Sequence, residues 1–274
     1  MSVVAISIDA MLPALGYIGS DLGVTNHNQA QYIISILFAG MAIGQLIYGP
    51  MSDSLGRKKV LYTGLVFYAL GSVLCYLSHD LQQMLIGRFI QGFGIASPYI
   101  STMAIIRDKY AGRDMARVMS LVMVIFILVP CIAPTLGQAI ITFSSWREIF
   151  IMYLVMIAAM FTYIFFKLEE TLLPENRVKF SIGNLVHGFK EVLRNRHTVG
   201  YTICMGLVFG SFMGYLNSSQ QIFQVQFNTG KLFTLYFGLL AFLFGVSSFV
   251  NSYFVNKLGM RHICLRGMIA TIIS

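Results

Sequence analysis

The sequence has 274 residues, of which 57% are hydrophobic and only 11% are charged. A typical soluble domain carries about 25% charged residues, so a water-soluble fold of this size would have too few polar side chains to cover its surface. The formal net charge of +8 comes from short basic clusters between long apolar segments, and no continuous basic face is evident. The sequence therefore predicts a membrane protein and argues against a soluble enzyme or a nucleic-acid-binding protein.

Apolar segments long enough to cross a bilayer recur along the chain. A hydrocarbon core of about 30 Å needs about 20 helical residues. The segments of this length are 31–50, 60–78, 83–106, 118–141, 149–166, 199–217 and 233–255. Residues 1–20 form a shorter span interrupted by Asp9 and Pro13, and residues 263–274 resemble the first half of another. The predicted fold class is an all-α membrane bundle of about eight transmembrane helices plus the start of a ninth.

The distribution of Lys and Arg predicts how these spans are oriented. Sixteen of the 19 lie in alternate loops or at their edges, and only Arg147 and Lys231 lie in the opposite loops. Because loops rich in Lys and Arg stay cytoplasmic, the start of the first span and the long polar interval 167–198 are predicted to be cytoplasmic. That interval predicts an N-terminal six-helix half at 1–166, a linker at 167–198 and a partial second half at 199–274.

A charged turn follows the second predicted span. Its notable residues are Gly49, Pro50, Asp53, Gly56, Arg57 and Lys58. The glycines and the proline are expected to end one helix and permit a tight turn into the next. Asp53 then lies at the membrane edge beside the two cations, and Asp108 ends the fourth span on the same side. An Asp53–Arg57–Asp108 network is predicted as a conformational latch, and charges that only enforce topology are the alternative.

Two ionisable residues lie inside predicted spans. A charge at mid-bilayer is costly, so such a residue usually faces a cavity and has a partner. Arg88 lies about 8 Å below the outer end of the fourth span, at a depth comparable with that of Asp9 in the first. A salt bridge between them is therefore geometrically possible and is taken as a hypothesis, with Gln91 one turn along the same helix as Arg88. A purely structural buried pair is the alternative interpretation.

The fifth predicted span carries Pro130, Pro134 and Gly137. Each proline removes one helical hydrogen bond and favours a kink, and the small residues permit close approach of a neighbouring helix. A functional kink is predicted here, and a kink that serves only packing is the alternative.

Several of these motifs resemble the major facilitator superfamily. Residues 49–59 resemble the signature loop between its second and third helices, and residues 88–92 resemble its Arg-x-x-Gln-Gly fourth-helix motif. Further segments are similar to the bicyclomycin/chloramphenicol-resistance (Bcr/CflA) drug-efflux branch: 7–15, 106–108, 133–137, 146–150 and 170–175. These matches occur in order over nearly the whole chain.

The resemblance implies a twelve-helix secondary-active transporter in a bacterial inner membrane that exports drug-like or amphipathic molecules against proton entry. It implies that Asp9 takes part in proton or cation coupling and that Arg88 tunes it. The expected partners are the lipid bilayer, a small hydrophobic or amphipathic substrate and protons, with no catalytic residues, metal, cofactor or nucleic acid. A sugar or peptide transporter of the same fold is one alternative. An inactive truncated product is another, because the last helices of the twelve would be missing.

Overall fold

The computed structural model describes residues 2–24, 27–178 and 180–258, together with 266, 267 and 269. All regular secondary structure in these residues is helical. The α-helices are α1 (Ser2–Asp9), α2 (Leu15–Asp21), α3 (His27–Ala30), α4 (Tyr32–Leu55), α5 (Arg57–Tyr76), α6 (Leu81–Lys109), α7 (Gly112–Phe143), α8 (Glu148–Lys167), α9 (Ile182–Arg194), α10 (Arg196–Gln220) and α11 (Phe233–Leu258). Turns of 3₁₀-helix occupy Leu12–Ala14, Pro174–Asn176 and Gly230–Leu232, and a π-helical turn occupies Gln221–Gln226. The predicted segment 263–274 lies almost entirely outside the described residues.

Within the described residues, six helical stretches are long and apolar enough to cross a membrane. They are Ser2–Asp21, Asn28–Leu55, Arg57–Tyr76, Leu81–Lys109, Glu148–Lys167 and Arg196–Gln224. The predicted fifth and eighth spans fall in α7 and α11, where the described apolar stretches are shorter, at Leu128–Phe143 and Phe233–Ser247. The first turns of α7 are less apolar because they carry Arg113, Asp114 and Arg117. The predicted all-helical membrane fold is confirmed.

Glycines allow α6 to contact both α4 and α5 at backbone distance. A Cβ added at Gly92 would overlap the Leu37 carbonyl of α4, and one at Gly44 would lie 2.7 Å from the Phe93 carbonyl oxygen. On the other side of α6, a Cβ at Gly94 would overlap the backbone nitrogen of Tyr68 in α5. Small residues at such crossings let membrane helices gain packing contacts that larger side chains would prevent.

The end of the second span differs from the prediction. The sequence predicts that Gly49 and Pro50 help to end this helix, but α4 continues through both residues to Leu55. Pro50 removes a single N–H group, and the turns on either side keep their own hydrogen bonds. The prediction is therefore wrong for these two residues. Gly56 does end the helix, with a φ of 100° that residues with a side chain rarely adopt.

The last two described helices contact the first six spans at the end opposite Gly56 and along α7. Gln31 Nε2, at the start of α4, donates to Gln221 Oε1 (2.5 Å), and Gln221 Nε2 donates to Asn28 Oδ1 (3.3 Å). α11 packs along α7, and a Cβ added at its Gly238 would lie 3.2 Å from the Cys131 carbonyl oxygen. These contacts bring the end of α10 next to the start of α4.

Candidate functional site

The first span is broken in its middle, and the break frees backbone carbonyl groups for other partners. α1 ends at Asp9, and the 3₁₀ turn that contains Pro13 separates it from α2. Met11 N donates to Ile8 O (3.3 Å), one residue short of the α-helical partner. The Ser7 carbonyl is thus available inside the bundle, where an unpaired polar group would be costly.

The Arg88 side chain binds this free carbonyl group. Its guanidinium is fully buried, and Nη2 donates to Ser7 O (3.1 Å) while Nε donates to Ile33 O (3.2 Å). Nη1 donates to Gln91 Oε1 (2.6 Å), one turn along α6. One cation therefore connects the first, second and fourth spans through oxygen atoms that carry no formal charge.

Hydroxyl groups extend this polar cluster. Gln91 Nε2 donates to Ser72 Oγ (2.8 Å), and the hydroxyls of Ser7 and Tyr68 share a short hydrogen bond of 2.5 Å. The Tyr153 hydroxyl lies 3.2 Å from Ile6 O and 3.3 Å from Ser7 O, to which it donates. We call Ser7, Tyr68, Ser72, Arg88, Gln91 and Tyr153 the inner polar cluster. All six side chains lie in fully buried residues, so the cluster is a hydrogen-bonded network away from solvent.

Asp9 lies at the edge of this cluster and is 3% exposed. Among the described residues, Asp9 forms no ion pair with Arg88, and none of them donates a hydrogen bond to its carboxylate. The hypothesised direct salt bridge is therefore not formed in this conformation, because Arg88 uses its donors on carbonyl and amide oxygens.

Gly137 brings α7 against the break in the first span. A Cβ at this position would overlap the Ala10 carbonyl oxygen, directly after Asp9 in the chain. Pro130 and Pro134 lie inside α7, which is one continuous helix through both. The structure thus places the fifth-span motif beside Asp9, and a functional role for its kink stays a prediction.

The charged turn is the second group of predicted residues that the structure brings together. Arg57 is 7% exposed, and its Nε donates to Asp108 Oδ2 (2.9 Å) while Nη1 donates to Asp53 Oδ1 (2.5 Å) and Ser52 Oγ (3.0 Å). The guanidinium therefore joins the ends of α4 and α6 to the start of α5. The Asp53–Arg57–Asp108 network is present, and its role as a latch stays a prediction.

Residues after α8 complete this turn. The Glu170 carboxylate accepts from Arg57 N (2.9 Å) and Lys58 N (3.2 Å), the first backbone donors of α5. Thr171 Oγ1 donates to Asp108 Oδ2 (3.0 Å), and Lys58 Nζ donates to Phe165 O (3.2 Å). A carboxylate at a helix N-terminus is favourable because it meets unpaired N–H groups and the positive end of the helix dipole.

A third cluster lies at the opposite end of the spans, where α2, α5 and α8 meet. Asp21 Oδ2 accepts from Trp146 Nε1 (3.0 Å) and Arg147 Nη1 (2.8 Å). Arg147 Nη2 also donates to Ser78 O (3.1 Å), and its guanidinium lies 4.2 Å from the Trp146 ring centroid. The sequence singles out Trp146 and Arg147 but not Asp21, which is near the end of an apolar segment.

Sequence reasoning also missed Tyr68 and Tyr153, the two aromatic members of the inner polar cluster. Hydroxyl groups in apolar segments are common, so only their position opposite Arg88 distinguishes them, and that position depends on the tertiary fold. At Gly49 no close approach of another element requires glycine, since a Cβ added there would meet nothing within 4 Å. Across the described part of the chain, no group of three or more His, Cys, Asp or Glu residues could hold a metal ion.

The chain is similar to known proteins over its whole length. A profile of the Major Facilitator Superfamily matches residues 1–274. The chain is 30% identical to an uncharacterised MFS-type transporter, YdgK, of Bacillus subtilis, over 97% of this chain and 68% of that protein. It is 28% identical to a bicyclomycin resistance protein homolog of Haemophilus influenzae, over 92% of this chain and 63% of that protein. It is 33% identical to the chloramphenicol resistance protein CraA of Acinetobacter baumannii, over 75% of this chain and 49% of that protein.

The fold is similar to a crystal structure of the human organic anion transporter MFSD10. The TM-score is 0.60 at 19% sequence identity, over 89% of this chain and 68% of that chain. A likeness at this identity concerns the arrangement of helices. The chain thus spans between about half and about two thirds of the length of these four proteins.

Proposed function

Because the chain belongs to the Major Facilitator Superfamily, we propose that it acts as a secondary-active exporter of drug-like or amphipathic small molecules. The substrate class rests on relatives named for bicyclomycin, chloramphenicol and multidrug resistance. Export is proposed to be coupled to proton entry. The chain is a multi-pass membrane protein, and a bacterial inner membrane with the Gly56 turn on the cytoplasmic side fits the distribution of Lys and Arg.

The observation that carries the coupling proposal is that Asp9 is buried without an ion pair, two residues after Ser7, whose carbonyl group the buried Arg88 binds. A charged carboxylate without a cation or a hydrogen-bond donor is costly inside a protein. A conformational change that hydrates Asp9, or brings it to Arg88, would lower that cost. The proton occupancy of Asp9 would then differ between conformations, which is the property that a coupling residue needs.

The broken first span gives Asp9 a route to such a change. α1 and α2 meet at a 3₁₀ turn, so the two pieces can reorient without breaking a continuous helical ladder. Arg88 binds Ser7 O of α1, and Gly137 lies against Ala10 O, directly after the end of α1. Movement of α7 relative to α6 would therefore change the surroundings of Asp9.

The test is Asp9→Asn in the full-length protein. Asparagine has nearly the same shape as aspartate and cannot release a proton, so the variant should still fold and bind drug but lose proton-driven export. In energised cells that express it, chloramphenicol accumulation should rise to the level of cells with an empty vector. Asp114→Asn is the matched control, because Asp114 is an exposed residue at the start of α7.

Retained export by Asp9→Asn, at an expression level equal to that of the control, would contradict the assignment of Asp9. The alternative substrate class, a sugar or peptide, is tested with the same cells. A panel of labelled sugars and dipeptides should show no transport that depends on the protein.

A further inference from the structure

α9 has two chemically different faces. At about 100° per residue, its apolar side chains fall in an arc of about 120°, which is wide enough to bury against a surface. The members of this apolar face are Leu185, Val186, Phe189, Val192 and Leu193. The opposite side carries the polar residues His187, Lys190, Glu191 and Arg194. Such a division predicts that one side of α9 is buried and the other meets water.

The apolar face of α9 is left largely uncovered by the described protein. Val186 is 44% exposed, Phe189 52%, Val192 47% and Leu193 57%. A cluster of large apolar side chains that no protein segment covers marks an interaction surface. The position of α9 relative to the membrane shows which surface its apolar face can contact.

The start of α9 is tied to the membrane edge at the Gly56 turn. Val178 N donates to Asp53 O (3.1 Å), and Phe180 N donates to Ser54 Oγ (3.2 Å). Asp53 and Ser54 belong to the last turn of α4, immediately before Gly56, where two candidate spans meet. α9 begins two residues after Phe180, at the same level of the molecule.

The other end of α9 lies at the same side of the membrane. A single residue, Asn195, separates it from α10, which begins the next candidate span. Asn195 Oδ1 accepts from His197 N (3.1 Å) and Thr198 N (3.2 Å), so it ends one helix and caps the next. Since the described residues between α8 and α10 contain no candidate span, the start of α10 is on the side where α8 ends.

These two anchors determine the direction of α9. Thirteen residues of helix are about 20 Å long, and both ends lie at the membrane edge marked by the Gly56 turn. The helix axis therefore runs along the membrane surface. A helix in this position, with one apolar and one basic face, fits the boundary between lipid headgroups and acyl chains.

We propose that α9 is an interfacial helix whose apolar face rests in the bilayer leaflet at the Gly56 end. Lys190 and Arg194 lie at the level of the lipid phosphates, to which they are complementary in charge. Phe189, in the middle of the apolar arc, reaches the acyl-chain boundary. The linker is thereby held to the lipid surface as well as to the Gly56 turn.

The experiment places a fluorescent label on each face of α9. Phe189→Cys reports the apolar face, and His187→Cys, about 160° away around the helix, is the matched polar control. Both are made in a full-length chain whose native cysteines, four of them in these 274 residues, are replaced by alanine. Bimane-labelled protein in phosphatidylcholine–phosphatidylglycerol nanodiscs is then titrated with iodide, or assembled with doxyl-labelled lipid.

Iodide quenching at Phe189→Cys should be several-fold weaker than at His187→Cys, and doxyl-lipid quenching should be several-fold stronger. Equal iodide quenching would place the apolar face in water and overturn the proposal. Protection of Phe189→Cys from both quenchers would place it against protein and also overturn the proposal. If the cysteine-free chain does not fold, Phe189→Trp and His187→Trp are compared with brominated lipid after the signal of the native protein, which includes Trp146, is subtracted. Transport is not measured, so the outcome is independent of the proposed export.

Discussion

At the level of single residues, the backbone turn at Gly56 and the Glu170 carboxylate fit together. The left-handed φ of Gly56 turns the chain sharply between α4 and α5 and leaves the first N–H groups of α5 open to an incoming carboxylate. A side chain on Gly56 would collide with Glu170 Oε2. The turn therefore needs glycine both for its backbone angle and for the space that the carboxylate occupies.

Removal of the Glu170 carboxylate should loosen the charged turn. Glu170→Ala leaves the backbone donors of Arg57 and Lys58 without their acceptor, which we expect to cost about 1 kcal/mol, as for loss of a helix N-cap. Thermal unfolding of the purified protein measures this change. Glu169→Ala is the matched control, since Glu169 makes no hydrogen bond with the described residues. An equal loss in both variants would show that Glu170 contributes only its charge.

Glu170 also shows how far the role of a single residue can be predicted from the sequence. The segment around it resembles a family motif, which indicates a role, but its partner lies 113 residues earlier in the chain. Asp9 and Arg88 stand out because charges are rare in apolar segments. Their polar neighbours Tyr68 and Tyr153 do not, because a hydroxyl is common there. The hypothesis of an Asp9–Arg88 salt bridge rested on their comparable depth, and depth does not show which carbonyl groups a broken helix leaves free.

At the scale of helices, close packing of α6 against α4 depends on glycine. Gly92→Ala would push a methyl group into the Leu37 carbonyl, and backbone at a helix crossing cannot move aside as a flexible side chain can. We expect a loss of about 1–3 kcal/mol, as for overpacking of a dense core. The measurement is thermal unfolding in detergent, with export assayed in parallel.

Gly49→Ala is the control for this prediction. Gly49 also lies inside a helix, but a Cβ there meets no atom within 4 Å. The substitution should therefore be neutral or stabilise α4 by up to about 1 kcal/mol, because alanine is a better helix former than glycine. A larger loss for Gly49→Ala than for Gly92→Ala would contradict the packing account.

Helix existence was more predictable than helix ends. Apolar runs of about 20 residues identified the spans, because a helix must be apolar over about that length to cross the hydrocarbon core. The second span continues past Gly49 and Pro50 because a single missing N–H does not end a helix whose neighbouring turns are bonded. The amphipathic α9 falls within the interval predicted as a linker, since its apolar residues are too few and too spaced to resemble a span.

At the scale of the whole molecule, the described helices meet at both ends of the membrane. The Gly56 turn joins α4, α5, α6 and the segment after α8, while Gln31 and Gln221 join the start of α4 to the end of α10. The inner polar cluster lies between these two ends. If the two ends open alternately, Asp9 is the described carboxyl group within the bundle whose surroundings would change.

The central claim is that export is driven by protons through Asp9. Everted membrane vesicles that have acidified their lumen, with a pH-sensitive dye present, test it most directly. Addition of chloramphenicol or bicyclomycin should restore dye fluorescence in vesicles with the native protein or Asp114→Asn, because drug entering the lumen is exchanged for protons. With Asp9→Asn the fluorescence should not recover. Full recovery with Asp9→Asn, or drug uptake by the native protein without any recovery, would contradict the account.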